Sequence, residues 1–321
     1  MDDARPLEER DDEQAIEDDA TVVDEEAEEQ AVERASGLSS KLIYEVVRRA
    51  GDEELSRPKT SLIYSGVAAG GLISFSVLGE AIFRTYLPDA EWRYLVENLG
   101  YSLGFLLVIM GQMQLFTENT ITTVLPAMAR PCREVFLRVA RLWGIVLAAN
   151  VVGAFVAAFF FAHTAAIPAE LRPAIHELSE HATGMGAWQG FMRAIPAGVL
   201  VASIVWMLPS TKHAAIWLIV IFTWLIAAGD FTHIVAGSVE MAYLILLGDL
   251  GASGAIFGFF LPVLAGNVIG GSAIFAALAW GQVKDEIAER KARQRQERER
   301  EETLRERANR ARSAKARRVT P

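Results

Sequence analysis

The sequence predicts an all-α membrane protein with six transmembrane helices, arranged as two inverted three-helix repeats in which helices two and five are broken. Hydrophobic residues make up 52% of the 321 residues, and almost all of them lie between two charged tails. Several apolar runs approach or exceed the ~20 residues needed to cross a bilayer. Two of these runs are too long for one straight crossing and carry polar residues near their centres, which indicates broken helices.

The two tails are predicted to lie outside the membrane. Residues 1–38 form a disordered acidic tail, because high charge and low hydrophobicity cannot offset the entropy of ordering. Residues 284–321 form a charged, largely basic cytoplasmic tail. This second tail mixes Glu with Arg and contains no aromatic residue, so we expect a solvated helix and no nucleic-acid partner.

The segment SSKLIYEVVRRAGDEELSRP, residues 39–58, is predicted to be an amphipathic helix at the membrane surface. Its apolar residues recur at helical spacing, beside Arg48 and Arg49. The transmembrane pore domain is predicted over residues 59–283. Its six spans lie at about 60–87, 94–128, 136–163, 186–208, 214–247 and 252–281.

The charges of the connections predict the orientation in the membrane. The connection after the second span, residues 129–141, holds four arginines, whereas the connection after the third span holds one arginine and three glutamates. Positive residues mark the cytoplasmic side, and six spans leave both termini on one side. We therefore expect a multi-pass protein of the inner or plasma membrane, with both termini cytoplasmic and the lipid bilayer as a partner.

An internal repeat supports the inverted arrangement. Phe116-Thr117 in the second span is matched by Phe231-Thr232 in the fifth, and Asn150-Val151 in the third by Asn267-Val268 in the sixth. Three-span halves that follow one another in a six-span chain have opposite orientations. Inverted repeats with one interrupted helix per half place the substrate site near the midplane, between the interruptions.

The two breaks predict a site for a small anion. We expect Thr117 and Asp230 to cap the half-helices that follow the breaks, with Glu118 in the first turn of one of them. Two inward-directed half-helix N-termini favour an anion without a fixed lysine or arginine. His233 lies at the second break, where binding of an anion and protonation of the ring would favour each other. A purely structural histidine between helices is the alternative.

Two further carboxyl groups lie within the predicted spans. Glu80 is near the end of the first span, and Glu240 follows His233 by two helical turns. Ionisable residues inside a membrane mark functional sites or pair at a helix interface, and the sequence leaves both possibilities open for these two.

Three stretches together resemble the formate/nitrite transporter family over roughly residues 40–283. They are LFTEN at 115–119, GDFTH at 229–233 and LPVLAGNVIGG at 261–271. The resemblance implies an aquaporin-like bundle of six spans, assembled as a homopentamer with one pore per protomer. It also implies transport of small monovalent anions through two hydrophobic constrictions around a central histidine.

The resemblance also implies particular site residues. His233 corresponds to the central histidine and Thr117 to the threonine of the loop in the second span. The expected substrate and proton pathway consists of His233, Thr117, Asn267, Asp230 and Thr232. The expected constrictions are formed by Leu115, Phe116 and Phe105 on the cytoplasmic side and by Tyr101 and Ile226 on the periplasmic side.

The chain also departs from the usual family pattern. Thr232 replaces the glutamate that usually precedes the histidine, and Gly237 replaces an asparagine four residues after it. No lysine is evident before the fourth span, where His181 is the nearest titratable residue. Together with the long charged tails, these differences indicate a divergent branch that resembles the bacterial YfdC-type members.

The expected function is a channel or secondary transporter for a small monovalent anion such as formate or nitrite, with proton coupling through the central histidine. The alternatives are an aquaporin-like pore for a small neutral solute, and a membrane scaffold or sensor with a vestigial pore. No enzyme is expected, since the spans contain no HExxH, no Gly-Ser nucleophile pattern and no carboxylate dyad. No metal or cofactor is expected either; Cys132 is the single cysteine, which argues against a cysteine metal cluster.

Overall fold

The computed structural model describes residues 38–286 and, after them, residues 288–289, 292–293, 295–296, 298–300 and 305. The predicted acidic tail, apart from its last residue, lies outside the described residues, as does most of the predicted charged tail. The helical unit begins at Ser40.

The described chain is almost entirely helical. Its α-helices, in chain order, are α1 Ser40–Ser56, α2 Lys59–Leu72, α3 Ser74–Tyr86, α4 Arg93–Glu97, α5 Ser102–Met110, α6 Phe116–Thr122, α7 Val124–Ala129, α8 Arg133–His163, α9 Arg172–Gly184, α10 Ala187–Met207, α11 Ala215–Ala228, α12 Ile234–Leu247 and α13 Leu261–Val268. The helix of α13 continues on both sides as π-helix, over Gly254–Phe260 and Ile269–Ala276.

Four continuous helical stretches of the described residues are long and apolar enough to cross a membrane: Lys59–Tyr86, Arg133–His163, Ala187–Ser210 and Gly254–Glu286. They correspond to the predicted first, third, fourth and sixth spans. The second and fifth spans are each divided into shorter helices, as predicted. The apolar helices α11 and α12 form the two halves of the fifth span.

The breaks in the second and fifth spans have the same backbone geometry. Gly111 is the C-cap residue of α5 and Gly229 that of α11, and the next residues, Gln112 and Asp230, have φ angles of 51° and 55°. Left-handed backbone is rare outside glycine, so its occurrence at two corresponding positions identifies one motif used twice. The chain then re-enters a helix four residues later, at Phe116 in the first case and at Ile234, directly after His233, in the second.

This geometry corrects one part of the sequence repeat. Matching Gly111 with Gly229 matches Phe116 with Ile234, so both half-helices begin at corresponding residues. The predicted equivalence of Phe116-Thr117 and Phe231-Thr232 is therefore wrong by three residues. A shared dipeptide is too short to fix the register, whereas the turn geometry fixes it. The match of Asn150 with Asn267 is correct, as their contacts at the site show.

Glycines bring the first and third spans of each half into direct backbone contact. A Cβ atom on Gly70 of α2 would lie 2.0 Å from the carbonyl oxygen of Asn150, and one on Gly198 of α10 would lie 2.3 Å from that of Asn267. Only glycine permits such an approach, which is how helices pack closely inside a membrane. The asparagines of the third and sixth spans are thereby held against the first and fourth.

The helix α1 packs against the half-helix that follows the first break. Its buried residues include Ile43, Tyr44 and Val47, and a Cβ on Gly51 would lie 1.8 Å from the carbonyl oxygen of Thr122. The opposite side of α1 carries ion pairs, and hydrogen bonds from Arg48 hold the pKa of Glu45 at about 2. Its two-sided character agrees with an amphipathic helix, and its position at the membrane surface stays a prediction.

The connection between the third and fourth spans contains a helix that the sequence reading missed. α9 has Pro173 in its first turn and buries Ala174, Ile175 and Leu178 against α3 and α12. These apolar residues recur at i, i+1 and i+4, a helical spacing that was visible in the sequence. The consequence is that His181, on α9, lies beside the second break.

Candidate functional site

Asn150 holds the N-terminus of α6. Its Oδ1 accepts the backbone N–H of Phe116 at 2.9 Å, and its amide nitrogen donates to the carbonyl oxygens of Gly66 and Gln114, both at 2.8 Å. The side chain is fully buried. A backbone N–H at a helix start inside a membrane needs a partner from the protein, and this asparagine of a neighbouring span supplies it.

Asn267 does the same for α12. Its Oδ1 accepts the N–H of Ile234 at 2.8 Å, and its amide nitrogen donates to the carbonyl oxygens of Ala194 at 2.8 Å and Thr232 at 3.0 Å. The two asparagines therefore perform equivalent tasks in the two halves. The sequence repeat identified both of them, but only Asn267 was taken as a site residue.

The predicted caps, Thr117 and Asp230, do not cap the half-helices. Thr117 is the second residue of α6 and lies past the capping position, which Leu115 occupies. Asp230 lies three residues before the capping position of α12, in the left-handed turn. Both residues instead contact histidines: Thr117 binds His233, and Asp230 binds His181.

His233 lies between the two halves of the protein. Its Nε2 is 2.8 Å from the Oγ1 of Thr117, and its Nδ1 accepts the backbone N–H of Ala236 at 3.3 Å. Because Nδ1 is an acceptor, the neutral ring carries its hydrogen on Nε2 and donates it to Thr117. The ring of Phe105 packs edge-on against the imidazole, with 5.0 Å between ring centroids.

Protonation of His233 would disturb this arrangement. A hydrogen on Nδ1 would face the N–H of Ala236, replacing a hydrogen bond by a contact between two donors. It would also add positive charge at the N-terminus of α12, where a cation is disfavoured. Proton coupling through the ring stays a prediction from the sequence.

The five residues predicted to form the constrictions are all buried. Tyr101 packs on Phe105 with 5.3 Å between ring centroids, so these two rings and the imidazole of His233 form a continuous row of aromatic contacts. Phe116 packs edge-on against Trp143 of the third span, and Ile226 is in α11 just before the break. Leu115 is the residue before α6. The functions of these five residues as constrictions stay predictions.

A cavity of about 70 Å³ lies beside His233, at the end of the molecule where α9 packs, and we call it the outer cavity. The titratable side chains that line it are Glu80, Tyr101, His181, Asp230, His233 and Glu240, and Thr232 is a further polar lining residue. Phe259, Leu178 and Met185 are among its apolar lining residues. The cavity therefore connects the central histidine to a group of acidic side chains.

Arg193 is a charged residue of the site that the sequence reading missed. It forms an ion pair with the carboxylate of Asp230, and its Nη1 donates to the backbone oxygen of the same residue at 3.3 Å. His181 Nε2 lies 2.8 Å from the other carboxylate oxygen. No lysine is present before the fourth span, but this arginine inside that span places a cation at the second break. An arginine within an apolar run is itself a signal of function or pairing.

The opposite side of the site is occupied by a second polar network. The side-chain amide of Gln114 donates to the carboxylate of Glu54 on α1, and its backbone N–H donates to Ser65 Oγ at 3.0 Å. Burial raises the pKa of Glu54. Glu118 lies in the first turn of α6, as predicted, and its Oε1 has no hydrogen-bond partner among the described residues.

Comparison with known proteins places this geometry in a family. The chain matches the formate/nitrite transporter family over residues 41–281. It is 41% identical to the inner membrane protein YfdC of Escherichia coli (strain K12) over 249 residues, which cover 78% of this chain and 80% of that protein. It is 30% identical to the uncharacterized transporter YrhG of Bacillus subtilis (strain 168) over 247 residues, covering 74% and 90% of the two chains.

The chain belongs to the formate/nitrite transporter family. The solved structure of a pentameric formate channel with formate bound superposes with a TM-score of 0.59 at 19% identity, covering 74% of this chain and 98% of that one. This match confirms the predicted aquaporin-like fold, and the identity to YfdC confirms the predicted branch of the family. The chain is a multi-pass membrane protein, and its relatives include proteins named as transporters and channels.

The structure shows what occupies two positions at which the chain departs from the family pattern. Gly237 stands where an asparagine is usual, and a Cβ atom there would lie 2.3 Å from Cζ of Phe259. The phenyl ring of the sixth span therefore occupies the space that a side chain at position 237 would need. Thr232, in place of the usual glutamate, donates its hydroxyl to the carbonyl oxygen of Gly190 at 2.8 Å. Both positions are filled by packing and hydrogen bonding within the protein.

Proposed function

We propose that the chain is a membrane channel or secondary transporter for a small monovalent anion of the formate or nitrite kind. The observation that carries the proposal is the hydrogen bond between His233 and Thr117, which joins the N-terminal ends of α12 and α6. Helix N-termini favour negative charge, and in transporters built from inverted repeats the broken helices direct these ends at the substrate. Membership of the formate/nitrite transporter family supports the proposal.

The hydrogen-bond geometry gives the two side chains different tasks. His233 donates through Nε2 to the oxygen of Thr117 and so orients that hydroxyl group. The hydroxyl hydrogen of Thr117 is then free to be donated to an anion that passes between the half-helices. Asn150 and Asn267 fix the ends of both half-helices. These groups bind and orient, and no catalytic step forms part of the proposal.

Flux measurements in liposomes test this function. We expect the purified protein to conduct formate and nitrite, and Thr117→Val to reduce the initial rate because it removes the hydroxyl without changing the shape of the side chain. Thr85→Val is a matched control, since Thr85 only donates to the carbonyl oxygen of Ala81 within its own helix. Rates equal to those of empty liposomes for every small anion would contradict the proposal.

A pore for a small neutral solute is the second candidate function. It is favoured by the acidic lining of the outer cavity, because the unpaired carboxyl groups of Glu80 and Glu240 repel anions when they are ionised. Glycerol and urea flux in the same liposomes distinguishes the two functions. Flux of neither anions nor neutral solutes would leave a scaffold or sensor with a vestigial pore.

We infer that the protein assembles as a homopentamer. Many large apolar side chains of the spans are exposed on the single chain, among them Trp217 and Leu278 at 69% and Phe257 at 65%. Lipid and neighbouring protomers are the two surfaces that such side chains can contact. The solved formate channel with this fold is described as pentameric. Mass measurement in nanodiscs that finds only monomers would contradict the inference.

We also infer that both termini face the cytoplasm. α1 and the arginine-rich stretch of residues 129–141 lie on the same side, where Asp52 of α1 forms an ion pair with Arg130. The outer cavity and α9 then lie on the periplasmic side. The positive charge of the connection is the basis of this orientation.

A further inference from the structure

Glu80 and Glu240 are buried carboxyl groups whose task the fold does not explain. Their exposed fractions are 9% and 8%, and both line the outer cavity together with His233. Among the described residues, neither carboxyl group has a hydrogen-bond or ion-pair partner, unlike Glu97 and Asp230 nearby. Buried charged side chains are normally paired, so two unpaired carboxyl groups in one cavity require an explanation.

The charged groups around Glu80 and Glu240 form their ion pairs with other residues. Arg84, one turn after Glu80 on α3, binds Glu97 at 2.8 Å and lies 3.8 Å from Glu177 of α9. The second break contributes Asp230, which is held between Arg193 and His181. The other titratable groups near the pair are Tyr101 of the second span and His233 of the fifth, which line the cavity, and Tyr94, whose hydroxyl donates to the carbonyl oxygen of Ala228. Among the described residues, no cation forms a hydrogen bond or an ion pair with Glu80 or Glu240, although Arg84 is near enough to Glu80 to attract its carboxylate.

We propose that Glu80 and Glu240 form a titratable carboxyl pair that controls the entry of the anion from the outer cavity to His233. This inference rests on the proposed anion function and identifies the groups through which the anion flux would depend on pH. It assigns the pH response to the pair and not to the histidine, whose Nδ1 already accepts the N–H of Ala236.

The two protonation states of the pair have opposite effects on an anion. An ionised carboxyl group in this small cavity repels an approaching anion and offers it only acceptors. A protonated carboxyl group is neutral and donates a hydrogen bond. Two carboxyl groups that share one cavity disfavour each other's ionised form, as like charges do. Acidification of the outer side therefore opens the path to His233 for the anion.

The test uses Glu80→Gln, Glu240→Gln and the double variant, because glutamine has the shape of a protonated glutamate and cannot ionise. Initial rates of formate flux are measured in liposomes while the pH of the outer side alone is changed, with the leak of empty liposomes subtracted. We expect the wild-type rate to fall with rising pH by up to about tenfold per unit, the slope of one titrating group. The double variant should stay fast at high pH, and each single variant should show a shifted midpoint.

Glu91→Gln is the matched control, because Glu91 is an exposed carboxyl group between α3 and α4 and does not line the outer cavity. It should reproduce the wild-type profile. Assembly of every variant is checked by gel filtration, and either single variant that assembles is sufficient for the test. Wild-type protein that conducts formate, with glutamine variants that keep its pH profile, would overturn the inference.

Infrared spectroscopy of the wild-type protein supplies a second measurement that needs no variant. The carbonyl stretch of a protonated, buried carboxyl group should disappear with the same pH midpoint as the flux. A pH-dependent flux without such a band would overturn the inference and leave the anion function intact. Wild-type protein without any anion flux would instead show that the proposed function itself is wrong.

Discussion

His233 is fixed by two hydrogen bonds that determine which nitrogen carries its hydrogen. Asparagine at this position retains an N–H donor for Thr117 but cannot titrate, so His233→Asn separates hydrogen bonding from protonation. We expect the variant to assemble and its rate of anion flux to fall by up to about fivefold. This factor corresponds to the loss of ~1 kcal/mol when a hydrogen bond is weakened. Its pH profile should keep the wild-type midpoint. Loss of the pH dependence would show that the ring itself is the proton donor, as the sequence alone suggested.

Asn150 and Asn267 each make three hydrogen bonds in a fully buried setting. Aspartate retains the acceptor for the half-helix but loses both amide donors and faces two carbonyl oxygens with a carboxylate. We expect Asn150→Asp and Asn267→Asp each to lower the free energy of unfolding by at least ~2 kcal/mol. Thermal unfolding in detergent measures both variants. A large effect of one substitution with no effect of the other would contradict their equivalence.

The contact between α10 and α13 depends on Gly198. A methyl group there would lie 2.3 Å from the backbone oxygen of Asn267, and backbone on both sides leaves no flexible group to move away. We expect Gly198→Ala to displace the sixth span, to lower thermal stability and to reduce flux. Gly144→Ala is the control, since no atom lies within 4 Å of its added Cβ and alanine is favoured over glycine in a helix by about 0.5–1 kcal/mol. Equal stability of the two variants would contradict close packing as the reason for Gly198.

Among the structural elements, the two breaks were predicted from the sequence, whereas the helix α9 was not. The breaks interrupt long apolar runs with polar residues and glycines, which identified them at once. α9 alternates charged and apolar residues in a connection of moderate length, where a surface loop and a helix give similar compositions. Its burial against α3 and α12 decides in favour of the helix, and that packing depends on residues far away in the chain.

Cys132 provides a test of the orientation of the whole molecule in the membrane. It is the single cysteine of the chain, it is exposed, and it lies in the connection immediately before α8. If this connection is cytoplasmic, a membrane-impermeant maleimide should label the protein only after the cells are permeabilised. Labelling of intact cells would reverse the assigned orientation.

The matched control for that experiment moves the cysteine to the opposite side. Cys132→Ser combined with Ala165→Cys places the only thiol in the exposed stretch after α8. We expect this variant to be labelled in intact cells with no need for permeabilisation. Absence of labelling in intact cells, with labelling after permeabilisation, would mean that both connections lie on one side and would contradict the six-span topology.

The sequence by itself determined the membrane class, the broken second and fifth spans, the inverted repeat and the asparagines of the third and sixth spans. These features follow from local composition, because a bilayer requires long apolar helices and makes every interruption conspicuous. The histidine at the second break was found for the same reason. The family resemblance was also visible in the sequence, because it rests on short motifs at the breaks.

The tertiary structure decided which side chains meet. The hydrogen bond of Thr117 with His233 joins residues 116 positions apart, and the ion pair of Arg193 with Asp230 replaces the capping that sequence proximity had suggested. Only the tertiary structure shows that Glu80 of the first span and Glu240 of the fifth line the same cavity. Hydrogen bonds and charges act over a few ångströms in space, and no periodicity along the chain encodes those distances between spans.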